Sequence, residues 1–355
     1  MYNLMNLLLK IADSKASDLH LVVGLPPMMR LDTLIRPLGD EKLSPDSARD
    51  LIYSVLNEKQ IKRFEEKNEL DASFPVPHRG RVRINVFKQR GSISAALRFI
   101  PQATYTFEEL HLSKVIYEIV NFQKGLVLVT GATGSGKTTT LASMIEYINE
   151  RRRSHIITIE DPIEYLHSHK NCIVNQREVG SDTDSFSNAL KYVLRQVPDI
   201  ILVGEMRDLE TIAAAITLAE TGHLVLATLH TMDAGSSINR MIDVFPGNQQ
   251  AQIRSQLSLV LKAVMSQQLL PHASGRGMVL ASEIMIVNDS IKNIIREMKT
   301  EQLYSVIQTS RQAGMQTMNQ SLFDNVVNGN ISPQVAIEYS PRKEELIRLL
   351  QSTIS

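Results

Sequence analysis

A chain of 355 residues with 38 Lys and Arg against 38 Asp and Glu carries no net charge. With 5% aromatic residues and no Trp, it lacks the basic stripe and interleaved stacking rings of a nucleic-acid-binding protein. One cysteine, Cys172, excludes an intramolecular disulfide framework and a four-cysteine zinc module, suits a reducing cytosol, and reads as a small buried hydrophobe.

No stretch approaches the ~18 apolar residues of a membrane span, and the length favours two domains. Residues 1–12 lack a basic opening and set Leu4, Leu7, Leu8 and Ile11 on one face. They predict a short amphipathic helix rather than a signal peptide, so work at a membrane requires a partner that holds the protein there. Residues 18–23 and 28–34 read as strands around the Pro26-Pro27 turn. Ser44 is a good N-cap with Pro45 at the first helical position, which starts a helix running toward Leu56. Residues 58–67 are helical and charged, a solvated face. Residues 71–75, 80–89 and 92–100 alternate polar and apolar, as half-buried antiparallel strands do. Pro101 to Thr106 break the pattern. We therefore expect a first domain at 1–100, a linker at 101–112 and a second domain at 113–355.

In the second domain, short apolar runs at 125–130, 155–160, 199–204 and 223–228 alternate with helical segments, the pattern of a doubly wound parallel sheet. The stretch from about 289 to 355 reads as helical, at 290–298, 300–312, 316–328, 332–338 and 342–352.

Residues 131–138 read Gly131, Ala132, Thr133, Gly134, Ser135, Gly136, Lys137, Thr138, which satisfies G-x-x-x-x-G-K-[ST]. A strand precedes them and a helix opening at Thr139 follows, with Leu141, Met144, Ile145 and Ile148 on one face. Glycines let successive backbone N–H groups turn toward one anionic centre, and the helix N-terminus adds positive potential. This predicts that residues 131–139 bind ATP, with Lys137 reaching the β- and γ-phosphates and the Thr138 hydroxyl ligating Mg²⁺.

Carboxylates gather where strands should end. Glu160, Asp161 and Glu164 follow one strand and Glu205 follows another, where Gly204-Glu205 replaces the usual terminal aspartate. Glu205 at that place suits Mg²⁺ or the attacking water. His223 and His230 bracket the 224–228 run; without a cysteine they make a poor zinc pair, and from spacing alone each reads as structural. Arg83 and Arg98, taken singly, are solvent-facing strand arginines; in a ring they could act as arginine fingers supplied in trans. Arg151 to Arg153 complement the dipole at a helix end.

Five strings make the chain resemble the secretion-type ATPases of type II secretion and type IV pili, most closely the PilT family of retraction motors. They are KASDLHL at 15–21, ITIEDPIE at 157–164, VGEMRD at 203–208, TGHLVLATLH at 221–230 and GMQTMNQSL at 314–322, together with the phosphate loop. The resemblance runs from about Leu4 to Leu350. It implies a PAS-like N-terminal α+β domain, then a RecA-like P-loop NTPase core with a parallel sheet and a helical C-terminal part. It further implies a homo-hexamer with ATP between subunits, cytoplasmic and peripheral at the inner-membrane pilus base, working on a PilC-like platform protein and, indirectly, on pilin. Glu164 and Glu205 become the principal catalytic carboxylates, either of which could activate water. Arg83 and Arg98 become phosphate-contacting residues, and His223 and His230 sensors near the γ-phosphate.

Within that superfamily, assembly and secretion motors usually carry an extra N-terminal domain and a tetracysteine zinc site. Neither is expected here, and Met206 is typical of the retraction group, so retraction of the pilus is the expected function. The alternatives are an assembly or secretion motor and a PilU-like accessory paralogue, the latter raised by Ser290 to Glu297, which carries Lys292 where the group has arginine. Met232-Asp233 is a further local departure from the group's pattern. A nucleic-acid translocase is disfavoured by the charge, and no Asn-Lys-x-Asp string supports a GTPase.

Overall fold

The computed structural model describes residues 2–14, 16–31, 34–77, 79–101 and 105–354. Lys15 of the first quoted string and residues 102–104 of the expected linker lie outside them. The chain divides into two compact units, Met1–Ala103 with Glu164–Leu166, and Thr104–Ile163 with His167–Ser355.

The first unit is α+β. It contains α1 (Leu4–Ser14), β1 (Asp18–Leu21), β2 (Met28–Leu31), β3 (Leu34–Pro37), α2 (Pro45–Tyr53), α3 (Glu58–Lys67), β4 (Glu69–Val76), β5 (Gly80–Gln89) and β6 (Ser92–Pro101). The strands form one antiparallel sheet in the order β3-β2-β1-β6-β5-β4. One face of the sheet is apolar. Leu19, Leu21, Val82, Ile84, Val86 and Leu97 pack there against Leu4, Leu7, Leu8 and Ile11 of α1 and Leu51 and Ile52 of α2. The start of α2 is as expected, with Ser44 accepting from Ser47 N at 3.1 Å and Pro45 in the first turn. The stretch 28–34, expected to be one strand, is divided: Met28–Leu31 form β2, Leu34 opens the antiparallel β3, and residues 32 and 33 lie outside the described residues. Leu34 and Ile35 on the edge are exposed, so no burial pattern announced the break. Helix α3 is not wholly solvated, because Phe64 is buried and meets Tyr53 edge-on.

The second unit is a three-layer α/β structure. Its elements begin with α4 (Ile116–Ile119), β7 (Gly125–Thr130), α5 (Lys137–Arg151), β8 (His155–Glu160), β9 (Ile173–Glu178), α6 (Phe186–Val193), β10 (Ile200–Val203), α7 (Leu209–Glu220) and β11 (Leu224–Leu229). Then come α8 (Ala234–Asp243), α9 (Gly247–Val260), β12 (Leu261–Pro271), β13 (Met278–Ile286), α10 (Asp289–Arg296), α11 (Leu303–Thr309), α12 (Met318–Val327), α13 (Pro333–Tyr339) and α14 (Lys343–Ile354). Seven strands run in the order β13-β12-β7-β11-β10-β8-β9, all parallel except β13 against β12. Leu141, Met144, Ile145 and Ile148 of α5 cover one face together with α4. Helices α6 to α11 cover the other.

Three strands are additions to the sequence reading. Strand β9 is an edge whose Asn175, Gln176 and Arg177 dilute its apolar content. Strand β12 continues from α9 without a turn residue, and β13 alone is antiparallel, so the sheet is mixed rather than purely parallel. The stretch 300–312, expected as one helix, divides into a 3₁₀ turn at Thr300–Gln302, α11, and a second 3₁₀ turn at Arg311–Ala313. Among the described residues no helix is long and apolar enough to cross a membrane.

Candidate nucleotide site

The loop 131–136 joins β7 to α5 at the carboxyl end of the sheet, where open α/β sheets take ligands. Gly131 adopts φ +140°, and a Cβ there would run into the Gln267 carbonyl and stand 2.6 Å from Ser135 Oγ. Gly134 and Gly136 are also at positive φ, 80° and 87°, which turns the backbone into a concave cradle. Lys137 is buried and donates from Nζ to Gly131 O at 2.7 Å and Ala132 O at 2.8 Å, so its ammonium lies against the loop. Among the described residues, Ser135 Oγ is buried without a hydrogen-bond partner. A glycine cradle, a lysine within it and an orphaned hydroxyl are the donor set that phosphate oxygens satisfy. Thr138 and Thr139 open α5 and are half-buried.

The loop is braced from β12, which sequence reading did not find. Ser266 and Thr130 share a buried 2.8 Å hydroxyl contact, and Gln267 Nε2 donates to Thr140 Oγ1 at 2.8 Å. No motif marks Ser266 or Gln267; their role follows from pairing β12 beside β7.

The second cluster forms where β10 and β11 end. Glu205 accepts a fork from Arg207, Nε to Oε1 at 2.5 Å and Nη2 to Oε2 at 2.7 Å, and His230 Nε2 lies 3.0 Å from Oε1. Burial pushes the Glu205 carboxyl up, but Arg207 and His230 outweigh it and hold the group below the usual carboxylate range. The glycine before it has a spatial reason, since a Cβ at Gly204 would stand 3.1 Å from Ile159 O and 3.2 Å from Glu160 Cα.

The two histidines do not come together. Parallel pairing of β11 with β7 places His223 beside Gly125, at the strand end opposite the loop, where its carbonyl accepts from Gly125 N at 2.9 Å. Seven residues of strand separate the two, roughly 20 Å at ~3.3 Å per residue. His223 Nδ1 instead contacts Leu218 O at 3.0 Å and Thr221 Oγ1 at 3.1 Å. Within the subunit, then, His230 stands at the loop end of the sheet and His223 at the other end.

On β8, Glu160 is buried and accepts from Thr158 Oγ1 at 2.6 Å and Gln176 Nε2 at 3.1 Å. Buried Glu178 of β9 accepts from Ile163 N at 3.1 Å and so fixes the turn after β8. Glu164 is half-buried and makes no side-chain hydrogen bond or ion pair among the described residues. Those residues also contain no group of three His, Cys, Asp or Glu side chains able to hold a metal. Cys172 is buried, as expected, and burial raises its thiol.

Arg83 and Arg98 face each other directly across β5 and β6, both exposed. Arg98 Nε donates to Asp18 Oδ1 at 2.9 Å.

Glu283 was also missed. It lies on β13, is 4% exposed, and accepts from Ala234 N at 2.9 Å at the start of α8. It borders a cavity of about 390 Å³ shared with Asp233, Tyr304 and Arg342. Burial raises its pKa from 4.5 to about 7. The folded state therefore keeps a proton that the unfolded chain releases, and stability falls as pH rises from about 4.5 to 7. Glu283→Gln is expected to raise the thermal midpoint at pH 8, by up to a few kcal/mol of stability, and to change little at pH 4.5. Thermal melts at the two pH values check this.

A parallel sheet with a glycine cradle between its strand and helix, and a glutamate at the end of a nearby strand, defines a P-loop nucleoside triphosphatase. Residues 75–275 match the model of the type II/IV secretion system protein family, and the chain belongs to that family. It is 51% identical to the type IV pilus retraction ATPase PilT of Pseudomonas aeruginosa, over 92% of this chain and 95% of the relative. To the type IV pilus ATPase PilU of the same organism it is 40% identical, over 96% and 89%. A crystal structure of the pilus retraction motor PilT with bound ADP superposes with a TM-score of 0.92 at 49% identity, covering 98% of this chain and all of the other. The first unit is accordingly the PAS-like domain of this family and the second its RecA-like core.

Proposed function

We propose that this chain is the ATPase motor that powers type IV pilus retraction, and with it twitching motility. The observation that carries the proposal is its 51% identity to PilT over 92% of the chain, a span that includes the complete phosphate cradle. Residues 1–100 serve as the PAS-like domain, 101–112 as the linker and 113–355 as the motor domain. The phosphates of ATP lie in the loop 131–136, and Lys137 exchanges its carbonyl partners for β- and γ-oxygens. Thr138 would offer its hydroxyl to Mg²⁺ and Glu205 its carboxylate, directly or through water, and the ion when bound would supply charge neutralisation for the phosphates. Glu205, ionised and paired with Arg207 and His230, orients the attacking water; Glu164 is the second carboxylate. His230 stands close enough to Glu205 to sense its surroundings.

The working form is a homo-hexamer in which Arg83 and Arg98 of one subunit contact the nucleotide of the next. The ring sits at the inner-membrane base of the pilus and passes its motion to a platform protein, which returns pilin to the bilayer.

Deletion of the gene tests this. Cells are expected to keep or over-accumulate surface pili while losing twitching motility, as counted by electron microscopy and motility zones. Bald cells would mean an assembly motor. Unchanged pili with weakened pulling would mean an accessory motor of the PilU kind.

A further inference from the structure

We propose that Asp18 is a positioning residue for Arg98, gripping the Nε edge of its guanidinium so that the Nη1 and Nη2 edge faces outward toward a phosphate of the neighbouring subunit. The proposal rests on the reading of Arg98 as an arginine supplied in trans.

The geometry begins in the strand register. Arg30, Asp18, Arg98 and Arg83 stand in one line across β2, β1, β6 and β5, each directly opposite the next. Asp18 is 8% exposed and both its oxygens are committed. Oδ1 accepts from Arg98 Nε at 2.9 Å, while Oδ2 accepts from Ser17 Oγ at 2.7 Å and faces Arg30 Nε at 3.5 Å. A carboxylate fixed this firmly is an anchor rather than a passing surface partner. Burial pushes its carboxyl up, yet Ser17 and Arg98 more than offset this, so Asp18 stays charged at neutral pH.

The grip is partial, and that gives it a use. The Arg98 side chain remains 70% exposed although Nε is bonded, so its two terminal amino groups are presented to solvent. Those groups form the fork that takes phosphate oxygens in pairs. A free arginine gives up rotamer entropy when it binds; one held at Nε has given up part of it beforehand. Asp18 also answers a local problem. Like charges directly opposite on neighbouring strands repel, and Arg83 faces Arg98. A buried anion beside Arg98 lets both guanidiniums stand on the same face before a phosphate arrives.

The test compares wild type, Asp18→Asn, Arg98→Ala and the double variant as full-length assembled protein. Each is measured for kcat of phosphate release, affinity for a fluorescent ATP analogue, and thermal midpoint. Asp18→Asn is expected to lower kcat by ~10–10²-fold, the usual cost of a ~1 Å misplacement, with nucleotide affinity unchanged. In the Arg98→Ala background it is expected to cost nothing further. Full kcat in Asp18→Asn overturns the proposal, as does an equal loss in both backgrounds accompanied by a lowered midpoint. Wild-type turnover in Arg98→Ala would instead remove the in-trans reading beneath it. Should Asp18→Asn fail to assemble, Ser17→Ala removes only the bond to Oδ2; it is expected to give the same pattern at smaller size, and an unchanged kcat overturns the proposal.

Discussion

Lys137→Ala is expected to abolish ATP hydrolysis while leaving the folded protein in place. The lysine is held at the base of the cradle by two loop carbonyls, 2.7 and 2.8 Å away. In the nucleotide complex its charge passes to the β- and γ-phosphates, where negative charge grows as the bond to the leaving group breaks. Alanine has nothing to offer at that point. The structural cost is small by comparison, at about 1 kcal/mol for each hydrogen bond lost. Phosphate release should therefore fall to background, while circular dichroism stays that of the wild type and the thermal midpoint drops modestly. Turnover near the wild-type rate would remove the phosphate-loop reading and everything built on it.

Arg83→Ala and Arg98→Ala are each expected to bind ATP almost normally and to hydrolyse it poorly. A fully engaged arginine finger is worth roughly 10³–10⁵ in rate. Both residues are exposed on the PAS-like sheet, so neither substitution opens a cavity, and in Arg98→Ala the buried Asp18 carboxylate keeps Ser17 and Arg30 beside it. Mixing decides whether they act across subunits. A Lys137→Ala subunit is dead at its own loop but still carries both arginines, and an Arg98→Ala subunit is the reverse. At equal mixing, roughly one interface in four in a head-to-tail ring combines an intact loop with an intact arginine. Two inactive preparations should then recover a measurable fraction of wild-type turnover on mixing, with a maximum near equal proportions. Absence of rescue at every ratio would return the two arginines to ordinary surface residues.

The parts of the site legible in the sequence are those whose chemistry is local. The phosphate loop is a run of eight residues whose glycines, lysine and hydroxyl all act on one ligand, so spacing alone carried it. Ser44 and Pro45 announced α2 because a cap bonds to backbone three residues away. The apolar runs of β7, β8, β10 and β11 are buried on both faces, which leaves a continuous hydrophobic string. Strand β12 was not legible, since its Ser266 and Gln267 face neighbours more than a hundred residues earlier in the chain. Glu283 was hidden for the same reason, because a glutamate in a strand declares neither its burial nor its partner.

The two histidines mark the boundary most sharply. Composition, charge and motif spacing determined that this is a two-part α/β protein with a nucleotide loop, and they placed His223 and His230 at either end of a strand. Which end meets the phosphates depends on the direction of β11 relative to β7. That is a property of pairing between segments about a hundred residues apart, and no local pattern encodes it. Arg98 is the counterpart in the first unit. A lone arginine on an alternating strand looks like any solvated side chain, and only the register that brings Asp18 beside it turns one of its edges into an anchored one and leaves the other to face outward.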